Sequence, residues 1–370
     1  MRTGQRRYTQ LLVLLGLLAF GSSATGSFWV VFLHEVHRAS PAVIAALFGA
    51  AAFTAALTAM AMTLKGSLPA MPTMVAGLAC LAAMQIALAS LHGPALYGLF
   101  SILYGAYIPL FFLPWNTLIA SETRAHDRGA KLAGIALAFS IATVGAPFVG
   151  GLVAATWGFP ALFLTGAGVL GIAAVFAAFT GRPAELVRLT WNPRRLGNGT
   201  TVAYAAQGGI DGVLWTAIPL TTLSFVQGEV ELGALFSLFA LTGGLFALAL
   251  GRWSDRIRHR RWFITLGALL PVPLAMAVGV APSLGAFTAA NGALSATLAI
   301  APTFVNAMVV DRLEDEIGLV MQTREVILNL SRGVSSAAIL ALFLLGLPVQ
   351  LAILLVACLL PLEALAERFR

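Results

Sequence analysis

Charged residues are scarce in this chain, at 10% of 370 residues. A soluble domain carries about 25%, because its surface must offer ionic groups to water. The shortage excludes a water-soluble globular protein, and a mean hydropathy of +0.91 points the same way. Most of the surface must face hydrocarbon instead. Lysine is nearly missing, since only Lys65 and Lys131 interrupt a basic complement that is otherwise arginine. Cysteine is limited to Cys80 and Cys358, far apart in apolar runs. That spacing excludes a disulfide framework and a thiolate metal site, so both read as small buried hydrophobes.

Other absences narrow the chemistry. There is no Gly-x-x-x-x-Gly-Lys phosphate loop, so ATP is not expected to drive the chain directly. The histidines, His34, His37, His92, His126 and His259, all fall in loops or at the ends of apolar runs. No metal cluster and no histidine-based nucleophile pair is therefore expected inside the bilayer, and no cofactor is implied. A formal charge of +7 would ordinarily suggest nucleic acid. Here the positive residues sit in short clusters between apolar runs, which is the footprint of membrane orientation rather than of a nucleic-acid surface.

What is present is a series of apolar runs, at roughly 9–33, 41–64, 70–91, 94–120, 131–156, 159–180, 200–226, 231–250, 262–281, 284–310, 320–345 and 347–366, each bounded to within about 2–4 residues. The first run follows Arg2, Arg6 and Arg7 and imitates a secretion signal, but it continues through Phe28 to Phe32 and is long enough to span. Helix is the spanning structure this pattern allows, because every backbone amide must be satisfied within its own segment. Ser40-Pro41 reads as a helix cap followed by proline at the first helical position. Gly158-Phe159-Pro160 and Leu347-Pro348 read as tight turns between neighbouring helices.

Placing the N-terminus in the cytoplasm puts nearly all basic residues on that side. These are Arg2, Arg6, Arg7; Lys65; Arg124, Arg128, Lys131; Arg182, Arg188, Arg194, Arg195; Arg252 to Arg261; Arg312; and Arg368, Arg370. Arg38 is the basic residue left outside, together with Glu229, Glu231, His34, His37 and His92. The expectation is an all-α membrane protein of twelve transmembrane helices with both termini cytoplasmic, in an inner membrane. A basic linker at 181–199 would separate an N-terminal six-helix bundle (1–180) from a C-terminal one (200–370). The halves echo each other weakly. The fourth run ends in Pro114-Trp115-Asn116 and the tenth carries Pro302 and Asn306, each before a charged loop. A parallel repeat of this kind is a transporter architecture with its site between the halves.

Two segments carry a family resemblance. Gly251-Arg-Trp-Ser-Asp255-Arg256-Ile-Arg258-His-Arg260-Arg261 resembles the signature loop of the major facilitator superfamily, with Arg258 in place of its second glycine. The resemblance implies that Gly251, Asp255, Arg256 and Arg260 form a cytoplasmic gate, the aspartate sitting where a helix dipole favours a carboxylate. The matching loop of the first half, Leu64 to Pro69, has no acidic residue. In the fifth run, Gly145-Ala146-Pro147-Phe-Val-Gly150-Gly151 looks like the Gly-Pro-x-x-Gly-Gly motif of proton-driven antiporters in that superfamily. Pro147, Gly150 and Gly151 are then a helix-packing motif. The antiporter arginine of the fourth helix is missing, because Ser101 stands four residues before Gly105.

Ionisable residues inside a membrane are costly and usually functional. In the seventh run Tyr204, Gln207, Asp211 and Trp215 are three, four and four residues apart and share one helix face. In the eleventh run Gln322, Glu325, Asn329, Arg332 and Ser336 recur at alternating spacings of three and four. Counting about 1.5 Å per residue, Asp211 and Arg332 overlap in depth within the reach of an arginine side chain. The two are expected to interact, or to share a substrate. Asn291, Ser295 and Asn306 in the tenth run, and Tyr104, Tyr107 and Asn116 in the fourth, are further cavity candidates.

The expected function is secondary transport of a small organic solute, coupled to a proton or other ion, by a monomer in a lipid bilayer. Efflux by an antiporter is favoured slightly over import of a metabolite or siderophore-like compound. Substrate and ion would meet Asp211, Gln207, Tyr204, Trp215, Arg332, Asn329, Glu325 and Asn291. A membrane enzyme would need a converging nucleophile and base, which the sequence does not offer. A sensor or assembly protein would need a soluble output domain.

Overall fold

A computed structural model describes all residues except 1, 123–127, 181–184, 255–259, 314–315 and 368–370. The first half contains α1 (Arg2–Glu35), α2 (Pro41–Leu64), α3 (Ala70–Ser90), α4 (Gly93–Glu122) and α5 (Arg128–Thr180). The second contains α7 (Asn198–Leu223), α8 (Glu229–Ser254), α9 (Arg260–Leu269), α10 (Pro271–Gly279), α11 (Leu284–Leu298), α12 (Ile300–Arg312), α13 (Ile317–Leu344) and α14 (Val349–Leu359), closed by a 3-10 stretch at Leu360–Glu367. Between them lies the short α6 (Pro193–Leu196).

Among the described residues, ten helices are long and apolar enough to cross a membrane. One of these, Leu137–Phe179, runs through Gly158, whose φ of 83° is not helical, so it joins two helices across a break. α7 is not among the ten, its 26 residues being diluted by Thr, Gln, Gly and Asp. The protein is thus a multi-pass membrane protein whose side chains at Leu57, Ile141, Trp157, Phe179 and Val334 stand exposed on the outside of the bundle. Cys358 joins this exposed set and Cys80 is half-buried, so neither cysteine is the buried hydrophobe expected. Hydrocarbon solvates a thiol on the outer face as well as a core would.

Several helix limits follow from local chemistry. Ser40 caps α2, accepting a bond from Val43 N at 3.3 Å, with Pro41 next in line. Pro302 supplies no amide hydrogen and crowds the carbonyl of Leu298 four residues back, so α11 stops there and α12 begins at Ile300. Pro271 separates α9 from α10 in the same way.

The linker is more structured than its composition suggests. Two three-residue strands, β1 (Ser67–Pro69) and β2 (Leu186–Arg188), pair antiparallel with Leu68 opposite Val187. Leu189 N donates to Gly66 O at 2.9 Å, Ala70 N donates to Glu185 O at 2.8 Å, and Arg7 pairs with Glu185. Farther along, Asn192 N donates to Thr323 Oγ1 at 3.3 Å and Arg195 pairs with Glu316 at 2.6 Å. The linker therefore fastens the start of the first half to the start of α13. This is called the linker end below. The opposite end holds the turns after α1, α3 and α7.

Two seams join the halves, α2 against α13 and α5 against α8. At the far end a cluster of rings packs between α1, α5 and α8. Phe28 meets Phe159 at 6.4 Å and Phe236 at 6.3 Å, and Phe32 meets Phe163 at 4.9 Å.

Candidate functional site

α7 approaches α13 closely because glycines face it. A β-carbon at Gly208 would lie 2.8 Å from Leu328 Cα, and one at Gly212 would lie 2.9 Å from Arg332 Cα. These glycines are four residues apart, the small-xxx-small spacing that lets membrane helices touch backbone to backbone. Gly209 turns the other way, toward Leu359 of α14.

That approach brings Asp211 onto Arg332. Arg332 Nη2 donates to Asp211 Oδ2 at 2.7 Å, a charge-assisted bond between α7 and α13. Arg332 Nη1 donates to Asn329 Oδ1 at 2.9 Å, and Asn329 Nδ2 donates to Glu325 Oε1 at 2.9 Å. A continuous chain of polar groups, Asp211, Arg332, Asn329 and Glu325, thus runs along the α7–α13 contact. The Arg332 guanidinium also lies 4.6 Å above the Trp215 ring, where the ring's negative face attracts it. Trp215 meets Tyr104 at 6.0 Å, and Tyr104 in turn meets Trp29 at 4.9 Å and stacks on Tyr107 at 6.0 Å. The charge pair is backed by an aromatic wall drawn from α1, α4 and α7.

Arg332 and the wall face a cavity of about 1780 Å³ between the halves. Its polar lining comes from Tyr104, Tyr107 and Asn116 of α4, Asn291 and Ser295 of α11, Asn306 and Asp311 of α12, and Arg324, Glu325 and Arg332 of α13. The lining reaches Ala120 and Asp311, in the last turns of α4 and α12 at the linker end. At the far end it stops at Trp29, Pro219 and Phe236, one to two turns short of the helix ends, where Phe236 belongs to the phenylalanine cluster. The cavity is mostly aromatic and aliphatic with a few convergent polar groups, as sites for small organic molecules are.

The structure sorts the residues expected from the sequence. Trp215, Arg332, Glu325 and Asn291 line the cavity. Asp211 does not line it and reaches it through Arg332. Asn329 is buried within the chain of hydrogen bonds. Gln207 has a buried Oε1 without a partner. Tyr204 is buried in a separate cluster with Phe304 and Val305, beneath Arg324 at 5.6 Å. The eleventh-run stripe is divided. Gln322 turns away from the cavity to donate to Ala59 O and to Thr63 Oγ1 of α2, at 2.5 and 2.7 Å. Ser336 faces Gly212 O at 3.5 Å. A stripe with spacings of three and four is broad enough to serve two neighbours at once.

Pro147 lines the cavity, and Gly150 and Gly151 lie against backbone of α1 and α8 where a β-carbon would collide. Of the expected gate, Asp255 and Arg256 lie outside the described residues, while Gly251 belongs to α8 and Arg260 opens α9. Arg324 was not anticipated. Its signal was a second spacing on α13, since Arg324, Leu328 and Arg332 recur every four residues and all three line the cavity.

Comparison with known proteins gives one kind of likeness. No protein-family profile and no curated protein sequence matches the chain. A solved structure does. It is described as a bacterial homolog to the human lysosomal transporter Spinster, in an inward-facing and unoccupied conformation. It superposes with a TM-score of 0.63 and 13% identity, over 99% of this chain and 97% of that one. The whole chain therefore shares the fold of that solved structure.

Proposed function

We propose that this chain is a secondary active transporter that moves a small organic solute across a bilayer by alternating access. The observation that carries the reading is the Asp211–Arg332 pair, held at 2.7 Å between α7 and α13 with Arg332 on the wall of a large cavity. An ion pair inside a membrane is expensive to build, and the cheaper apolar alternative was open at both positions. A pair that is made and broken during a cycle has a use that offsets this cost. Protonating Asp211, or presenting a charged group of the solute to Arg332, removes the attraction between α7 and α13 and frees Arg332 within the cavity.

In this reading twelve passes form two six-helix halves, 1–180 and 200–370, that rock about the cavity, with both termini cytoplasmic. The arrangement with the cavity lining extending to the linker end is then the cytoplasm-facing state. Protons drive the cycle, and export is favoured over import on the strength of the motif at Pro147 to Gly151. The site comprises Asp211, Arg332, Trp215, Glu325, Asn329 and Asn291, with Gln207 and Tyr204 behind it. The Gly251–Arg261 loop acts as a latch at the linker end. The working unit is a monomer in a bacterial inner membrane.

The test begins with a thermal-shift screen of small organic compounds on the purified protein. A compound that stabilises it is then followed in inside-out vesicles under an imposed pH gradient. Gradient-driven accumulation supports export, and accumulation only in right-side-out vesicles supports import. Asp211→Asn is expected to abolish gradient-driven flux while leaving counterflow of the compound. Unchanged gradient-driven flux in Asp211→Asn would remove Asp211 from the coupling. The pairing itself is tested by a double-mutant cycle. Asp211→Asn with Arg332→Gln should cost less stability than the sum of the single changes, because each single change strands a charge worth about 3–5 kcal/mol.

A further inference from the structure

Glu363 is an acid that the cavity does not use. It lies in the 3-10 stretch that ends the final pass, 3% exposed, with its Oε2 buried and without a hydrogen-bond partner. The stretch packs against α7, α9, α10, α12 and α14. The titratable or charged side chains on those elements are Tyr204 and Asp211 on α7, Arg260 and Arg261 in the first turn of α9, Asp311 and Arg312 in the last turn of α12, and Cys358 on α14. α10 carries none. Asp211 stands on α7, the helix against which the stretch packs most extensively. An ionised carboxyl with neither cation nor donor is far more costly to bury than the neutral acid.

The neighbourhood connects this acid to the charge pair. A β-carbon at Gly209 would lie 2.9 Å from Leu359 Cδ1, so α7 and the final pass touch within a turn of both acids. Gln207 sits one turn from Asp211 toward the linker end, and its Oε1 is also buried without a partner. None of Asp211, Gln207 and Glu363 lines the cavity. Gln207 Oε1 and Glu363 Oε2, unpartnered on two elements that pack against each other and away from the solute space, are what a proton route needs and what a packing interface avoids.

We propose that Glu363 is a second proton-binding carboxyl that exchanges one proton with Asp211, past Gln207 and apart from the solute cavity. In the exchange a proton leaves a Glu363 carboxyl oxygen and bonds to an Asp211 carboxylate oxygen. The negative charge moves the opposite way, from Asp211 to Glu363. Arg332 loses its anionic partner and keeps Asn329. Uptake of a proton by Glu363 from water at the linker end returns it to the neutral acid, and release of the proton from Asp211 then restores the starting charge. The proposal rests on the transporter reading above, because proton coupling is what gives the exchange a use.

The experiment needs no solute. The full chain is placed in lipid vesicles and probed by infrared difference spectroscopy of the protonated-carboxyl stretch after a jump in pH, the proton itself being the probe. Wild type is expected to show a buried-acid band that is lost in Glu363→Gln. In Asp211→Asn the same band should persist at a shifted frequency, because the neighbouring charge that sets its local field is gone. Glu363→Asp keeps an acid and should retain a displaced band, which covers the case in which the glutamine variant folds poorly. A band unchanged in Glu363→Gln would overturn the assignment. A band lost there yet unmoved in Asp211→Asn would overturn the exchange. Failure of the transporter reading registers elsewhere: flux that ignores the pH gradient, with the infrared pattern intact, leaves Glu363 as a proton site in a protein that is not proton-driven.

Discussion

The two seams between the halves are built from different materials. Along α2–α13 the joint is made mainly by side chains, with Phe53 of α2 seated on Gly333 and Ser336 of α13 seated on Gly49. Gln322 donates to a backbone carbonyl and to a hydroxyl of α2, and the linker adds bonds from Asn192 and Arg195 nearby. Along α5–α8 the joint is made by missing side chains. A β-carbon at Gly233 would lie 2.5 Å from Pro147 O, and one at Gly244 would lie 2.8 Å from Ser140 Oγ. The cross-seam hydrogen bond seen there is Ser237 Oγ accepting from Phe148 N at 3.0 Å. Hydrogen bonds fix both the distance and the relative height of two helices. Smooth glycine faces fix the distance and leave the height free. The difference suggests a hinge at α2–α13 and a sliding contact at α5–α8, which is how two rigid halves can rock.

The contrast breaks most visibly if the smooth seam is roughened. Gly233→Leu drives a side chain into the backbone of α5, an overpacking that costs about 1–3 kcal/mol. Thermal unfolding of the purified protein should show the largest loss of any change made at the seams. Flux should fall further than stability does, because sliding is blocked as well. Next comes the hinge. Gln322→Leu removes two bonds at a seam within the membrane, where such bonds are worth about 0.6 kcal/mol each. The expected result is a modest loss of stability and faster hydrogen exchange at the linker ends of α2 and α13. The two seams share no residue, so the double change should add to within about 0.5 kcal/mol. Strong coupling between them would show that they move as one joint. Smaller again is Ser237→Ala, which strips the smooth seam of one hydrogen bond. A loss as large as that of Gln322→Leu would erase the distinction between the seams.

Some of this was legible in advance because it depends on helix geometry alone. The meeting of Asp211 and Arg332 follows from a fixed rise per residue, and the 2.7 Å bond agrees with it. The break at Gly158 and the cap at Ser40 follow from local chemistry. What spacing cannot reveal is which neighbour covers a face. Gln322 and Glu325 are three residues apart on one stripe, yet one bonds α2 and the other lines the cavity. The strands β1 and β2 were hidden for another reason. Three residues carry no periodicity, and their pairing joins positions about 120 residues apart, which a tertiary contact decides.

His37 gives the smallest effect and serves as the control for the comparison, because it belongs to neither seam. It lies in the turn after α1 at the far end, edge-to-face with Phe32 at 4.7 Å and beside His92 at 5.1 Å. Its Nε2 is buried and has no partner. Burial first, and the neighbouring His92 second, hold its imidazole below the ordinary value of 6.5. The sign follows. With a lower value in the folded state, the unfolded chain binds more protons as pH falls below 6.5, so protons favour unfolding there. Stability from this residue is complete above that pH and is lost as pH falls through the folded-state value. His37→Gln should therefore flatten the acid limb of a plot of thermal stability against pH and leave the neutral limb alone. The added cost of Gly233→Leu or Gln322→Leu should be the same at either pH, since neither seam contains His37. If the cost of a seam variant changes with pH only when His37 is present, the far-end turns are coupled to that seam, and rocking reaches the outer surface through α1 and α2.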